Sequence, residues 1–194
     1  MGNGWLGALI WQKENSVRIS LDRVDLWDDR PMPKIDKLRF KWVADQVKKR
    51  QFDTVQKLGD EPYEIYPAPT KIPGAALEFD AGKFRKVVSN ELDTRTALST
   101  VTFQNGVVFT KYIHSINQVG YFSFENYTDD IIPVIKIPTY YLATKGTTGN
   151  SVPGQGFEQL GYAAGSIETG KNFRHYHQPA WKGNYYEVPV YMPG

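Results

Sequence analysis

The 194-residue sequence has no cysteine, only three histidines and three methionines, and no long apolar run. Without thiols there is no disulfide scaffold and no thiolate metal site, although a chain free of disulfides suits any compartment. No uninterrupted apolar stretch approaches the roughly 20 residues that cross a bilayer as a helix, which excludes a transmembrane helix. An excess of one charge is also missing, since 23 Lys and Arg face 21 Asp and Glu for a formal net charge of +2. So balanced a chain offers little pull on nucleic acid or an anionic membrane. Nor is there a G-x-S-x-G motif, a P-loop or a dinucleotide-binding glycine fingerprint. Acyl transfer, nucleotide chemistry and a bound organic cofactor therefore lack their usual signatures, and no cofactor is expected.

What the chain has is aromatic residues, 14% of the total, led by twelve Tyr and ten Phe. That bias suits sheets, and an all-β single domain is the expectation from composition. At this length about 70% of the unfolded chain's surface can be buried, enough for a core without staples. Both ends read as cut from a longer chain. Met1 is followed at once by Gly2-Asn3-Gly4-Trp5 and the apolar Leu6 to Trp11, and the alternating Tyr185 to Tyr191 halts at Met192-Pro193-Gly194.

One stretch, from about Asp36 to Leu58, has helical character, with Phe40, Val43, Ala44 and Val47 recurring on one face. Asp36 is the expected N-cap, and Arg50-Gln51 breaks the pattern. A second short helix, begun at Asp53 with Gln56 three residues on, is expected to close at Gly59. The basic residues of this insert (Lys37, Arg39, Lys41, Lys48, Lys49, Arg50) read as a solvated outer face. From Leu77 onward the period becomes two. Strands are expected at Leu77 to Phe79, Phe84 to Val88, Thr96 to Gln104, Val107 to Ser115, Gln118 to Glu125 and Ile131 to Ile137. Asn105-Gly106 predicts a type I′ hairpin turn. The spacing leaves no room for crossover helices, so a parallel α/β sheet is excluded and an antiparallel β-sandwich is expected. From Thr144 to Gly170 the pattern is that of a loop.

Asp22, Asp25, Asp28 and Asp29 crowd one stretch, and glycosidases use two carboxylates set about 5 or about 6.5–9.5 Å apart. Beside Arg23 and Arg30, however, these acids read as local ion pairs and turn formers, and no catalytic residue is assigned. Asp129-Asp130 reads as a turn. His175-Tyr176-His177 on a strand would place two imidazoles on one face, but no third ligand accompanies them and His114 is distant in sequence, so no metal is expected. Three tryptophans fall in loop or turn settings: Trp5 between glycines, Trp27 before Asp28, and Trp181 before Lys182-Gly183. Flat aromatic faces stack on sugar rings while neighbouring amides and imidazoles orient hydroxyls, so Asn3, Trp5, Trp27, His175, His177 and Trp181 are the candidate contacts to carbohydrate or to a neighbouring domain. The competing reading is that the tryptophans fill a core.

Taken in order, four pieces resemble the N-terminal domain of family 95 glycoside hydrolases, the α-L-fucosidase group, and more distantly family 65. They are Gly2-Asn3-Gly4-Trp5-Leu6-Gly7-Ala8-Leu9; Arg18 to Trp27; the helical insert with Lys49-Arg50-Gln51-Phe52-Asp53; and Glu91-Leu92-Asp93-Thr94-Arg95-Thr96-Ala97 followed by Val101-Thr102-Phe103 and Gly106. The likeness spans roughly residues 2 to 125. Leu21-Asp22-Arg23-Val24-Asp25-Leu26-Trp27 departs from the family's Leu-Asn-Glu-x-Thr-Leu-Trp, which marks a divergent relative. The resemblance implies a large antiparallel β-sandwich, or supersandwich, that precedes an (α/α)6-barrel carrying the catalytic acid and base. This chain would then be a non-catalytic accessory domain with the barrel of the same polypeptide as its partner. Export to the periplasm or the medium, and an oligosaccharide substrate for the parent enzyme, are likewise implied by the resemblance. A self-sufficient carbohydrate-binding module is the alternative.

Overall fold

The computed structural model describes residues 1–31, 35–65, 69–129, 131–140 and 156–192. In chain order the strands are β1 (Leu6–Lys13), β2 (Ser16–Arg23), β3 (Trp27–Asp28), β4 (Thr70–Lys71), β5 (Ala76–Asp80), β6 (Val87–Asp93), β7 (Leu98–Phe103), β8 (Val108–Ile113), β9 (Gly120–Glu125), β10 (Val134–Lys136), β11 (Ser166–Thr169), β12 (Phe173–Pro179) and β13 (Tyr185–Tyr191). Two helices, α1 (Phe40–Lys48) and α2 (Phe52–Ile65), lie between β3 and β4. The fold is mostly β, built of small antiparallel sheets that do not close: β1-β2-β5-β10, β6-β7-β8-β9, β11-β12-β13 and the short β3-β4 pair.

Strand alternation decides which faces meet. In the first sheet Ala8, Val17, Ile19, Leu77 and Phe79 are buried on the inward parity. The opposite parity carries Trp11, Arg18 and Glu78, aligned by register across β1, β2 and β5, with Arg18 Nη1 donating to Glu78 at 2.8 Å. The second sheet is a meander whose inward parity bears Phe103, Phe109, Phe122 and Phe124. The two sheets are joined by aromatic packing. The Phe79 ring lies 5.2, 5.0 and 5.5 Å from Phe109, Phe122 and Phe124, and Phe84 lies 5.0 Å from Phe103. Tilted and edge-to-face rings at these spacings gain beyond their area of burial. The third sheet is anchored by Tyr186, whose hydroxyl donates to the Pro73 carbonyl at 3.1 Å while its ring meets Tyr176 edge-on.

Local structure departs from the sequence expectations at identifiable places. The Asn105-Gly106 hairpin forms, but its turn is not type I′: only Gly106 has positive φ (84°), Gly106 N–H donates to the Phe103 carbonyl and Phe103 N–H to that of Val107. This is a three-residue loop, a type I turn with glycine in the left-handed position. Phe84 belongs to a tight 3-10 turn, Gly82–Phe84, and the strand starts at Val87, because the Phe84 ring turns into the core. Within the expected loop, Ser166–Thr169 pairs with β12, while 144–155 lie outside the described residues. Asp36 falls in a separate 3-10 turn, and Arg39 precedes α1 without a side-chain cap. Arg50 at φ 58° ends α1, and α2 continues through Gly59 to Ile65. No residue of α1 is buried, and Phe40 and Val47 on its apolar face are exposed. Among the described residues, no helix is long and apolar enough to cross a membrane.

Candidate functional site

Asn3 is held by the backbone around it. Its Oδ1 accepts from Trp5 N–H and Leu6 N–H, both at 2.9 Å, and its Nδ2 donates to the His114 carbonyl at 2.8 Å and the Asn117 carbonyl at 3.1 Å. The amide thus fixes the glycine-rich opening and ties it to the β8–β9 loop, where the His114 Nδ1 itself accepts from Ile116 and Asn117 N–H. Trp5, placed by this turn, keeps 55% of its surface exposed.

Trp27 and Trp181 are linked through a buried carboxylate. β3 alternates Trp27 outward and Asp28 inward, leaving Trp27 55% exposed and Asp28 buried. Asp28 accepts from Arg30 Nε at 2.8 Å, Arg30 Nη2 at 2.6 Å and the Tyr162 hydroxyl at 2.6 Å. Burial by itself would raise the Asp28 pKa, but the hydrogen bonds from Arg30 and Tyr162 outweigh it and hold the carboxyl below its ordinary range. Burial and the Asp28 bond push the Tyr162 hydroxyl far upward. Arg30 also donates to the Leu160 carbonyl at 2.8 Å and places its guanidinium 4.4 Å from the Trp181 ring centre. One face of Trp181 is therefore engaged by a cation, whereas the cation near Trp27 among the described residues, Lys71 Nζ, is 6.0 Å away.

The neighbouring acids form the local pairs that their arginines suggest. Asp25 accepts from Arg23 Nε at 2.6 Å, and Asp22 meets Lys71 Nζ at 2.6 Å. The hydrogen bond from Arg23 lowers the Asp25 pKa against a smaller effect of burial. Asp129 accepts from the Tyr127 hydroxyl at 3.3 Å, and Asp130 lies outside the described residues.

His175 and His177 share a face of β12, as strand periodicity requires, and both address Glu187 Oε1 on β13, at 3.5 and 3.2 Å. The His177 ring also lies 5.1 Å from that of Tyr185. Among the described residues no group of three His, Cys, Asp or Glu side chains could hold a metal ion.

A large cleft involves none of the six candidates. A cleft of about 930 Å³ opens between β1, β2 and β5 on one side and β8 and β9 on the other, with β13 along its edge. Its lining is mainly apolar (Ile10, Leu77, Phe122, Phe124, Val188), yet it includes Lys111. Lys111 lies on the same parity of β8 as Phe109 and opposite Phe122, so strand alternation turns it inward, and it is only 2% exposed. Its Nζ makes no hydrogen bond among the described residues and sits 4.6 Å from the Phe109 ring centre. Burial pushes its pKa down to about 8. The sequence signal that could have found it is a lysine at the apolar parity of Phe109 and Ile113. No protein-family model matches the chain, and no curated protein is significantly similar to it.

Proposed function

We propose that the chain is a non-catalytic accessory domain of a glycoside hydrolase, an antiparallel β-sandwich of the supersandwich type that packs on an (α/α)6-barrel of the same polypeptide. The observation that carries this reading is the exposure of large aromatic and aliphatic side chains at its opening segment: Trp5, Leu9 and Trp11, followed by Trp27. A neighbouring domain covers surface of this kind. The engagement of Asp22, Asp25 and Asp28 by Lys71, Arg23 and Arg30 supports a structural rather than a catalytic use of these acids. Resemblance to family 95 supplies the substrate class of the parent enzyme, an oligosaccharide, and its export to the periplasm or beyond.

The purified chain is expected to show no hydrolysis of aryl glycosides, α-L-fucosides included. Robust turnover that a single carboxylate substitution such as Asp28→Asn abolishes would overturn the assignment. The reading frame after Gly194 is expected to continue for several hundred residues with helical-hairpin periodicity, and a stop within a few codons would count equally against it. The exposed faces of Trp5 and Trp27 favour a second reading, a carbohydrate-binding module in its own right. Saturable heat on titration with oligosaccharides at millimolar concentration, lost in Trp27→Ala, would select it over the structural role.

A further inference from the structure

The cleft combines two features that together fit a ligand. It is large and apolar, within the volume range of about 300–1,000 Å³ that small-molecule sites occupy, and one fully buried cation faces its lining. An ammonium taken out of water is strongly disfavoured unless an anion or several acceptors replace the lost hydration. Lys111 Nζ has neither among the described residues, and the Phe109 ring supplies only a weak substitute. The acids that reach the cleft are engaged elsewhere: Asp22 with Lys71 at 2.6 Å, Glu187 with His175 and His177, and Asp129 with the Tyr127 hydroxyl.

We propose that this cleft binds an amphipathic organic carboxylate, with its hydrocarbon body against Leu77, Phe122 and Val188 and its carboxylate on the Lys111 ammonium. Charge complementarity selects the head group, because among the described residues of the lining Lys111 is the buried cation without an acceptor, whereas Arg23 is paired with Asp25 and Lys171 is exposed to solvent. The apolar walls select the body. A sugar, with many hydroxyls to satisfy, does not suit a lining of Ile, Leu, Phe and Val. The four-carbon stem of lysine lets the ammonium swing from the Phe109 ring toward a carboxylate entering the cleft, a small rearrangement for a flexible side chain. The inference does not depend on the glycoside hydrolase reading, since it concerns an inward surface of the domain rather than the exposed tryptophans.

The test compares decanoate, decanol and decyltrimethylammonium, each below its aggregation threshold, by calorimetric titration of the whole chain. Decanoate is expected to bind one to one and at least tenfold more tightly than the other two. Lys111→Met should keep decanol binding and lose the tenfold advantage of decanoate, whereas Lys111→Arg should retain most of it. Absence of saturable decanoate binding at millimolar concentration, equal affinity for the three head groups, or an unchanged decanoate affinity in Lys111→Met would each overturn the proposal. The head-group comparison on the unsubstituted chain decides the matter even if a variant fails to fold.

Discussion

Replacing Lys111 by methionine should stabilise the protein, the reverse of what most core substitutions do. The side chain is 2% exposed, its ammonium has no hydrogen-bond partner among the described residues, and burial lowers its pKa from 10.5 to about 8. At about 1.4 kcal/mol per tenfold change in proton affinity, that difference corresponds to roughly 3 kcal/mol of destabilisation at neutral pH. Water entering the open cleft relaxes part of it, so the expected gain is about 1–3 kcal/mol. Methionine matches the length of the stem and fills the same space. For a chain of this size about 1 kcal/mol moves Tm by roughly 2–4 °C, so a rise of several degrees is expected.

The pH dependence identifies the cause. Below about pH 8 both the folded and the unfolded chain hold the Lys111 proton and the penalty is complete. Between about pH 8 and 10.5 the unfolded chain still holds it while the folded chain has released it. The unfolded state then binds more protons, and the stability of the parent chain rises with pH relative to the variant. Urea unfolding followed by tryptophan fluorescence at pH 7 and pH 9.5 therefore should show an advantage for Lys111→Met that shrinks at the higher pH. Tyr162, Tyr176 and Tyr186, whose pKa values burial raises, affect both chains alike and cancel in the difference. A variant no more stable than its parent at pH 7, or a difference that stays flat between the two pH values, would refute the reasoning.

Phe79→Ala should cost about 3–5 kcal/mol, measurable by chemical denaturation, because a fully buried ring with three aromatic partners leaves a cavity where the two sheets meet. Gly74→Ala should impair folding more than its one methyl suggests: a Cβ there would stand 2.4 Å from the Leu21 carbonyl oxygen, a backbone contact that cannot yield cheaply, and soluble yield with the thermal midpoint is the measure. Tyr162→Phe should destabilise by about 1–3 kcal/mol by removing a buried donor to Asp28. The same carboxylate sets an acid limb: its folded pKa lies below 3.8, so its contribution is complete above that value and is lost as pH falls through the folded pKa, and the loss should be smaller in Asp28→Asn.

Alternation and turn chemistry made much of the sheet structure legible. The antiparallel series through Leu77, the Asn105-Gly106 hairpin and the Tyr185–Tyr191 strand follow from period-two patterning, and the paired placement of His175 and His177 follows from the same rule. Phe84 departs from the expected strand because an aromatic residue two positions after a glycine fits either a strand start or a turn that drops a ring into the core, and only Phe103 and Phe124, packed against it, decide between them. The second helix passes its glycine because helix ends depend on packing and capping together, and one glycine costs only about 1 kcal/mol. Asn3 is a candidate contact in sequence, and the fold adds to its local bonds with Trp5 and Leu6 N–H the carbonyls of His114 and Asn117, more than a hundred residues away.

By itself the sequence determined the β-rich class, the antiparallel sense of the hairpins and the local ion pairs of Asp25 and Asp28, because each of these depends on neighbours close in the chain, whereas the pairing of β2 with β5 joins strands far apart in it. Tertiary structure alone decided that Asp28 meets Tyr162, that Arg30 stacks on Trp181, and that Lys111 lies beside a cleft with no hydrogen-bond partner among the described residues. Those outcomes depend on which faces of separate sheets oppose each other, and a strand's own pattern states only which side is inward, not what it will find there.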